Sequence, residues 1–201
     1  MEQATDGQLM SLTREGDTEA FAVLIDRYKD ALVNYLRHLT GSREQAEEYA
    51  QEAFVRLFSR AWRYDDRGKL APYLFRIAMN LIRSDYRRAK RWEVLSLEFL
   101  RRDARPAPSP QRMLLEKEIV REVAEALSAL PLHYRAPLVL REIEGWSYQE
   151  IAEALGCREG TIKSRLCRGR ELLRGLLAEF WNGGGCNERQ RASRAVDQAP
   201  A

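Results

Sequence analysis

The stretch from Ser147 to Arg170 leaves this chain few ways to fold. Ser147 and Glu150 form an S-x-x-E capping box, which satisfies free backbone N–H groups and starts a helix. Ile151, Ala152 and Leu155 give that helix one apolar face, and Gly156 supplies the backbone freedom for a tight turn. Beyond the turn, Ile162 and Leu166 recur at i and i+4 and face inward on a second helix. Lys163, Ser164, Cys167 and Arg168 share the opposite, outward side. A helix-turn-helix with such a one-sided basic second helix suits a DNA major groove. The competing reading is an ordinary helical hairpin with solvated charges. It requires small Ala152, the glycine turn and the one-sided basic face to coincide by accident.

The rest of the chain reads as helical too. From Thr18 to Leu39 the apolar residues Phe21, Leu24, Ile25, Tyr28, Leu32, Tyr35 and Leu36 trace a helical stripe. Gly41 and Ser42 break it. A second helix is predicted from about Arg43 to Trp62, burying Ala46, Tyr49, Ala50, Phe54, Leu57 and Phe58. Its other face carries the acidic strip Glu44, Glu47, Glu48 and Glu52. The segment Tyr64 to Lys69 is turn-like, with adjacent Asp65 and Asp66 as turn formers, and Pro72 suits the first turn of a third helix. That helix runs through Leu74, Ile77, Ala78, Leu81 and Ile82 to Trp92. No segment alternates with period two over a useful length, so the expected fold class is all-α.

Prolines at 106, 108 and 110 make a semi-extended linker that no helix interior accepts. Helical periodicity resumes near Pro110 with Met113, Leu114, Ile119, Val123, Ala126 and Leu127, stops at Leu130-Pro131, and returns through Leu138, Leu140 and Ile143. Pro137 inside that last helix is unusual and points to a kink. The predicted organisation is two small helical domains, 1–92 and 113–181, joined by a flexible linker 93–112 and followed by a disordered tail 182–201.

Composition excludes more than it selects. The 201 residues are 45% hydrophobic and 31% charged, with no apolar run long enough to span a bilayer, so no membrane insertion is expected. The polar start, Met1 to Gly7, carries no basic-then-apolar leader, which favours a cytoplasmic protein. Three widely spaced cysteines, Cys157, Cys167 and Cys186, argue against a disulfide framework. A small-residue role for Cys157 and Cys167 stands against oxidant sensing, since no resolving partner shows in the pattern. The two histidines, His38 and His133, lie in different halves without metal-ligand spacing, and no glycine-rich phosphate loop occurs. No catalytic group, metal or cofactor is expected.

Nucleic-acid chemistry has better support. Arg83, Arg87, Arg88, Lys90 and Arg91 surround a single acid, Asp85, near Tyr64, Tyr73, Phe75, Tyr86 and Trp92. Basic groups bind phosphates by counterion release, and aromatic faces stack on unpaired bases. A solvated helix end beside core aromatics, with Phe75 among the core, remains the alternative.

Two stretches together carry a family resemblance. Gln45-Ala-Glu-Glu-Tyr-Ala-Gln-Glu-Ala-Phe54 with Pro72-Tyr-Leu-Phe-Arg-Ile-Ala-Met-Asn-Leu-Ile-Arg-Ser-Asp85 resembles region 2 of bacterial RNA polymerase sigma factors. Leu130-Pro131, Tyr134-Arg135, Tyr148-Gln-Glu-Ile-Ala152 and Gly160-Thr-Ile-Lys-Ser-Arg165 resemble region 4. The size, and a linker in place of an extra domain, point to the extracytoplasmic-function group. The resemblance implies that Glu47, Glu48, Gln51 and Glu52 dock on a basic coiled coil of core RNA polymerase. It implies that Tyr64, Lys69 and Asn80 capture a flipped minus-10 base, while Arg83, Arg87, Arg88 and Arg91 hold the strand. At the minus-35 element, Lys163, Ser164 and Arg168 would read base edges, with Cys167 on the same face; Thr161, Arg165 and Arg170 would touch phosphates or brace the motif. The implied partners are core RNA polymerase, promoter DNA and an anti-sigma factor governing a stress or envelope response. The implied location is the cytoplasm, at the nucleoid when polymerase-bound.

The chain departs from the family pattern at several positions. Gln45-Ala-Glu-Glu48 stands where Asp-Ala-Glu-Asp is common, and Tyr73 where Trp is common. Cys167 replaces a larger residue, and Gly169 replaces alanine at a helix-interior cost of about 1 kcal/mol. Two rival functions carry distinct requirements. A LuxR-like regulator binding operators as a dimer needs a sensing or dimerising first half. A nucleic-acid-processing enzyme needs a carboxylate or histidine constellation that the pattern does not assemble.

Overall fold

The computed structural model describes residues 4–64, 68–95 and 114–181; for 89–95, 114–120 and 179–181 it describes the backbone alone. Asp65, Asp66, the proline linker, Cys186 and the tail lie outside the described residues. Within them the chain is helical: α1 Asp6–Arg14, α2 Thr18–Thr40, α3 Arg43–Ser59, a 3-10 turn Ala61–Arg63, α4 Leu70–Leu95, α5 Leu114–Ala129, α6 Leu132–Glu142, α7 Tyr148–Leu155 and α8 Glu159–Trp181. No strand forms among the described residues.

Helix α1 was not anticipated, because the polar start hides it, yet it has a capping box of its own. The Thr5 backbone N–H donates to Gln8 Oε1 at 2.8 Å, and Gln8 N–H returns a bond to Thr5 Oγ1 at 3.3 Å. Leu9 and Met10 are buried, and Asp6 is held by Arg27 and Tyr28 of α2. Helix α2 starts where Asp17 Oδ1 accepts from Glu19 and Ala20 N–H, and stops at Gly41, whose φ of 74° is left-handed. Ser42 caps α3. Tyr49 on α3 donates its hydroxyl to Asp85 on α4 at 2.8 Å, and burial with this bond pushes its pKa up to about 12.

Of the residues expected to be buried on α3, Tyr49 is half-buried and Phe58 is exposed. Phe58 remains 43% exposed, because it packs edge-on against Phe21 at 5.0 Å on the rim of an α2–α3 groove and no described residue covers its outer edge. Val55 lies exposed beside it.

In the second half, α6 continues across buried Pro137. Helix α8 crosses α6 closely at Gly169, which is buried. A Cβ there would lie 2.9 Å from Leu138 Cδ1 and 3.4 Å from Tyr134 Cβ. The two halves also meet, and their buried side chains form one continuous cluster, from Leu9 and Leu24 through Phe75 to Leu140, Ile151 and Leu166. Arg135, 8% exposed, spans the junction. Its guanidinium donates to Leu130 O at 3.2 and 2.8 Å, to Ser128 O at 2.7 Å, and to Leu39 O at the end of α2 at 2.9 Å. Burial lowers its pKa from the usual arginine value.

Candidate nucleic-acid interface

The turn between α7 and α8 forms as its residues dictate. Ser147 accepts from Glu150 N–H while Glu150 Oε2 accepts from Ser147 N–H at 2.8 Å, and Gly156 ends α7 with φ 66°. These bonds hold the Glu150 carboxyl below its usual pKa, the hydrogen bonds from Ser147 being the largest cause. Ile151, Leu155, Ile162 and Leu166 are buried, and this anchoring leaves Lys163, Ser164, Cys167 and Arg168 exposed together on α8. The charged ones pair with acids one turn away on the same helix. Lys163 pairs with Glu159 at 2.9 Å, and Arg168 with Glu171 at 3.2 Å. The Glu159 bond raises the Lys163 pKa. Ser164 donates back to Thr161 O at 3.0 Å. Arg170, exposed and two turns beyond Lys163, donates to Glu142 of α6 at 3.0 and 2.7 Å, tying the two helices together. Arg165 is half-buried, with Nη1 3.9 Å from Cys157 Sγ.

The α4 side is arranged differently. Tyr64 and Tyr73 rings lie tilted at 5.4 Å between centroids, on one wall of a cavity of about 470 Å3 lined also by Arg63, Lys69, Pro72, Arg76 and Glu153. Asn80 is exposed on α4, and Arg87 and Arg88 are exposed beyond it. Arg87 Nε donates to Arg83 O at 3.2 Å, and Arg88 sits 4.0 Å from Asp85. Arg91 lies on α4, but its side chain is outside the described residues. Lys69 is exposed and Arg83 half-buried, and both reach across to α7. Lys69 pairs with Glu153 of α7, and both Arg83 terminal nitrogens donate to Leu155 O at 3.1 Å. Burial lowers the Arg83 pKa.

On α3, Glu47, Glu48, Gln51 and Glu52 are all exposed. Arg43 and Arg56 partly neutralise this face through pairs to Glu47 at 2.8 Å and Glu52 at 2.7 Å. Glu47 and Gln51 also rim the α2–α3 groove, a cavity of about 520 Å3 floored by Phe21, Ala50 and Phe54. The sequence reading missed this groove because it assigned Phe58 inward and passed over Val55. It also passed over Trp62, 64% exposed with the Arg63 guanidinium 4.4 Å above its ring. Among the described residues no group of three or more His, Cys, Asp or Glu is placed to hold a metal ion, and no helix is long and apolar enough to cross a membrane.

Comparison with known proteins accounts for both halves. Residues 24–92 match the model of Sigma-70 region 2, and residues 120–173 that of Sigma-70, region 4. The chain is 32% identical over 175 residues to the ECF RNA polymerase sigma factor SigW of Bacillus subtilis, covering 83% of this chain and 94% of that one. It is 31% identical over 179 residues to the RNA polymerase sigma-H factor of Pseudomonas aeruginosa, covering 85% and 93% respectively. Its fold is similar to that of the sigma factor RpoE from Bartonella quintana, solved in complex with the anti-sigma factor NepR. The TM-score is 0.67 at 25% identity, over 79% of this chain and 96% of that one. The chain belongs to the ECF group of RNA polymerase sigma factors.

Proposed function

We propose that this sigma factor joins core RNA polymerase and carries it to a promoter with two elements, residues 1–92 serving the downstream element and 113–181 the upstream one. The polymerase does the chemistry, and the chain itself catalyses nothing. The observation that carries this reading is the α8 surface: Ile162 and Leu166 are sunk in the core while Lys163, Ser164, Cys167 and Arg168 stand out as one uninterrupted face. A side chain free of packing duties can meet base edges in a major groove. Lys163, Ser164 and Arg168 read minus-35 bases. Thr161, Arg165 and Arg170 touch phosphate or brace the motif.

On the other half, Tyr64, Lys69 and Asn80 receive an extruded minus-10 base. Unstacking a base costs a few kcal/mol, and a pocket that holds it returns part of that. Arg83, Arg87, Arg88 and Arg91 follow the strand backbone. Glu47, Glu48, Gln51 and Glu52 meet a basic surface of core polymerase, where opposite charges speed encounter and fix register. The likeness to a sigma factor bound to NepR supports an anti-sigma factor as a further partner. These partners place the protein in the cytoplasm, at the nucleoid when polymerase-bound. Run-off transcription with purified core polymerase and a promoter library tests the reading. Defined start sites that depend on this protein are expected; failure to bind core, or to yield any start site, refutes it.

A further inference from the structure

Trp62 is the most exposed large apolar side chain among the described residues, with 64% of its surface open. A packed indole buries one of the largest apolar areas of any side chain, so one left in water calls for a reason. The backbone holds it there firmly. Arg63 N–H donates to Arg60 O at 2.9 Å, and Tyr64 N–H donates to Ala61 O at 3.2 Å. The 3-10 turn closed by these bonds packs against α1, with Ala61 buried beneath it. Ala61 fixes the turn inward, and Trp62 is presented outward.

The groups around the ring indicate what covers it. The Arg63 guanidinium lies 4.4 Å from the ring centroid, a cation–π distance, and takes up one face. The same Arg63 lines the cavity walled by Tyr64 and Tyr73. One side chain touches both, so the indole and the cavity are neighbours across it. Arg60 and Arg63 are exposed on the turn, and exposed Lys69 and Arg76 line the cavity. Glu153 is the one carboxylate on the cavity wall, and it is paired with Lys69. Such a setting attracts phosphate and repels a basic protein surface of the kind the acidic α3 face would meet. Nor does Trp62 belong to the apolar α2–α3 groove, whose lining ends at Phe58 and Ser59. A flat aromatic ring with cations at its edge suits an unpaired nucleobase, which stacks on the ring while the cations follow the backbone.

We propose that Trp62 and Arg63 form a second base subsite on the opened strand. The unpaired base neighbouring the extruded one stacks on the indole, and Arg63 takes the phosphate between them. This rests on the functional reading above, which gives the Tyr64 cavity to the extruded base. Every base has a π-face, so the subsite adds affinity for opened strand without adding to the sequence that is recognised. A base inside a duplex is already stacked on its neighbours and cannot reach the indole, so the contact is made only once the strand has opened.

The test uses the full chain bound to core polymerase, as wild type, Trp62→Ala and Trp62→Phe. Fluorescence anisotropy reports binding of a single strand carrying the minus-10 sequence of a promoter that run-off transcription identifies. A series of that strand carries an abasic site at each position in turn, and affinity for core is measured separately. Trp62→Ala is expected to bind the intact strand about tenfold more weakly, with Trp62→Phe recovering part of the loss. In the wild type, removing the base next to the extruded one also costs about tenfold. In Trp62→Ala that removal costs nothing further, because both lesions delete the same contact. Removing the extruded base costs the two proteins alike. The proposal is overturned if Trp62→Ala binds the strand like wild type, or if its loss adds to the abasic loss at every position. A loss of core affinity in place of strand affinity would make Trp62 a protein-docking residue, and overturns it too. If the chain does not bind core or no promoter is found, the free chain and oligo-dT take their places. A tenfold loss in Trp62→Ala then supports the stacking subsite although the functional reading has failed, and equal binding overturns both.

Discussion

Replacing Arg135 with alanine removes a side chain that serves the ends of two helices, α5 and α2, at once. The guanidinium satisfies the carbonyls of Ser128 and Leu130 at the end of α5 and of Leu39 at the end of α2, through four bonds of 2.7 to 3.2 Å. Hydrogen bonds from a charged donor contribute about 1.5–3 kcal/mol each, so three stranded carbonyls set a gross loss of roughly 5–9 kcal/mol. Against this, the variant no longer desolvates a guanidinium, which offsets several kcal/mol. Water entering the vacated space satisfies part of the remainder. The net loss expected is about 3 kcal/mol, equivalent to a fall in Tm of roughly 6–12 °C for a chain of this size. Urea unfolding followed by tryptophan fluorescence gives the number directly, as a lower midpoint at constant slope. Arg135→Lys keeps the charge but not the fork, and recovers only part of the loss. A loss below about 0.5 kcal/mol for Arg135→Ala, the range of an ordinary surface substitution, refutes the argument.

Three further perturbations separate the other effects. Arg168→Ala removes a bidentate donor from the reading face and should relax preference at one upstream base, worth about 1–3 kcal/mol, in a promoter-library selection while leaving urea stability within about 0.5 kcal/mol. An unchanged upstream preference shows that the face was assigned wrongly. Gly169→Ala regains about 1 kcal/mol of helix propensity but forces a methyl against Leu138, an overpacking cost of about 1–3 kcal/mol. A net loss of about 1 kcal/mol is expected in thermal unfolding, and a gain shows that Leu138 yields freely. Burial, with Arg37 adding to it, lowers the His38 pKa below its ordinary 6.5. Stability from keeping this imidazole neutral is complete above pH 6.5 and is lost as the pH falls through the lower, folded value. His38→Gln should therefore flatten the midpoint-versus-pH curve below pH 6.5, and an unaltered curve assigns the acid sensitivity elsewhere.

The helices of both halves were legible because each has an apolar stripe at a 3.6-residue period, and α7 announced its start through Ser147 and Glu150. Helix α1 escaped notice because only Leu9, Met10 and Leu12 lend it apolar character; Thr5 and Gln8 were the usable signal. The outward set on α8 followed from geometry alone, since burying Ile162 and Leu166 dictates what remains outside. The reach of Lys69 and Arg83 to α7 was invisible. Arg83 and Leu155 are 72 positions apart, and no local pattern records which carbonyl a distant arginine will meet. Phe58 misled for a related reason. Periodicity assigns a face, but whether a neighbour covers the edge of that face depends on how far α2 extends past it.

The division of labour on α8 has a consequence for how such proteins diversify. The exposed side chains at 163, 164, 167 and 168 bond within their own helix, with Lys163 also 6.0 Å from the Tyr148 ring centroid, whereas Ile162, Leu166 and Gly169 carry the packing. Exposed positions of that kind usually tolerate replacement within about 0.5 kcal/mol. On the reading proposed above, which gives these four positions to the upstream element, promoter preference can drift through them without passing through unstable intermediates. Two copies of such a chain in one cell can come to serve different genes while keeping the same scaffold.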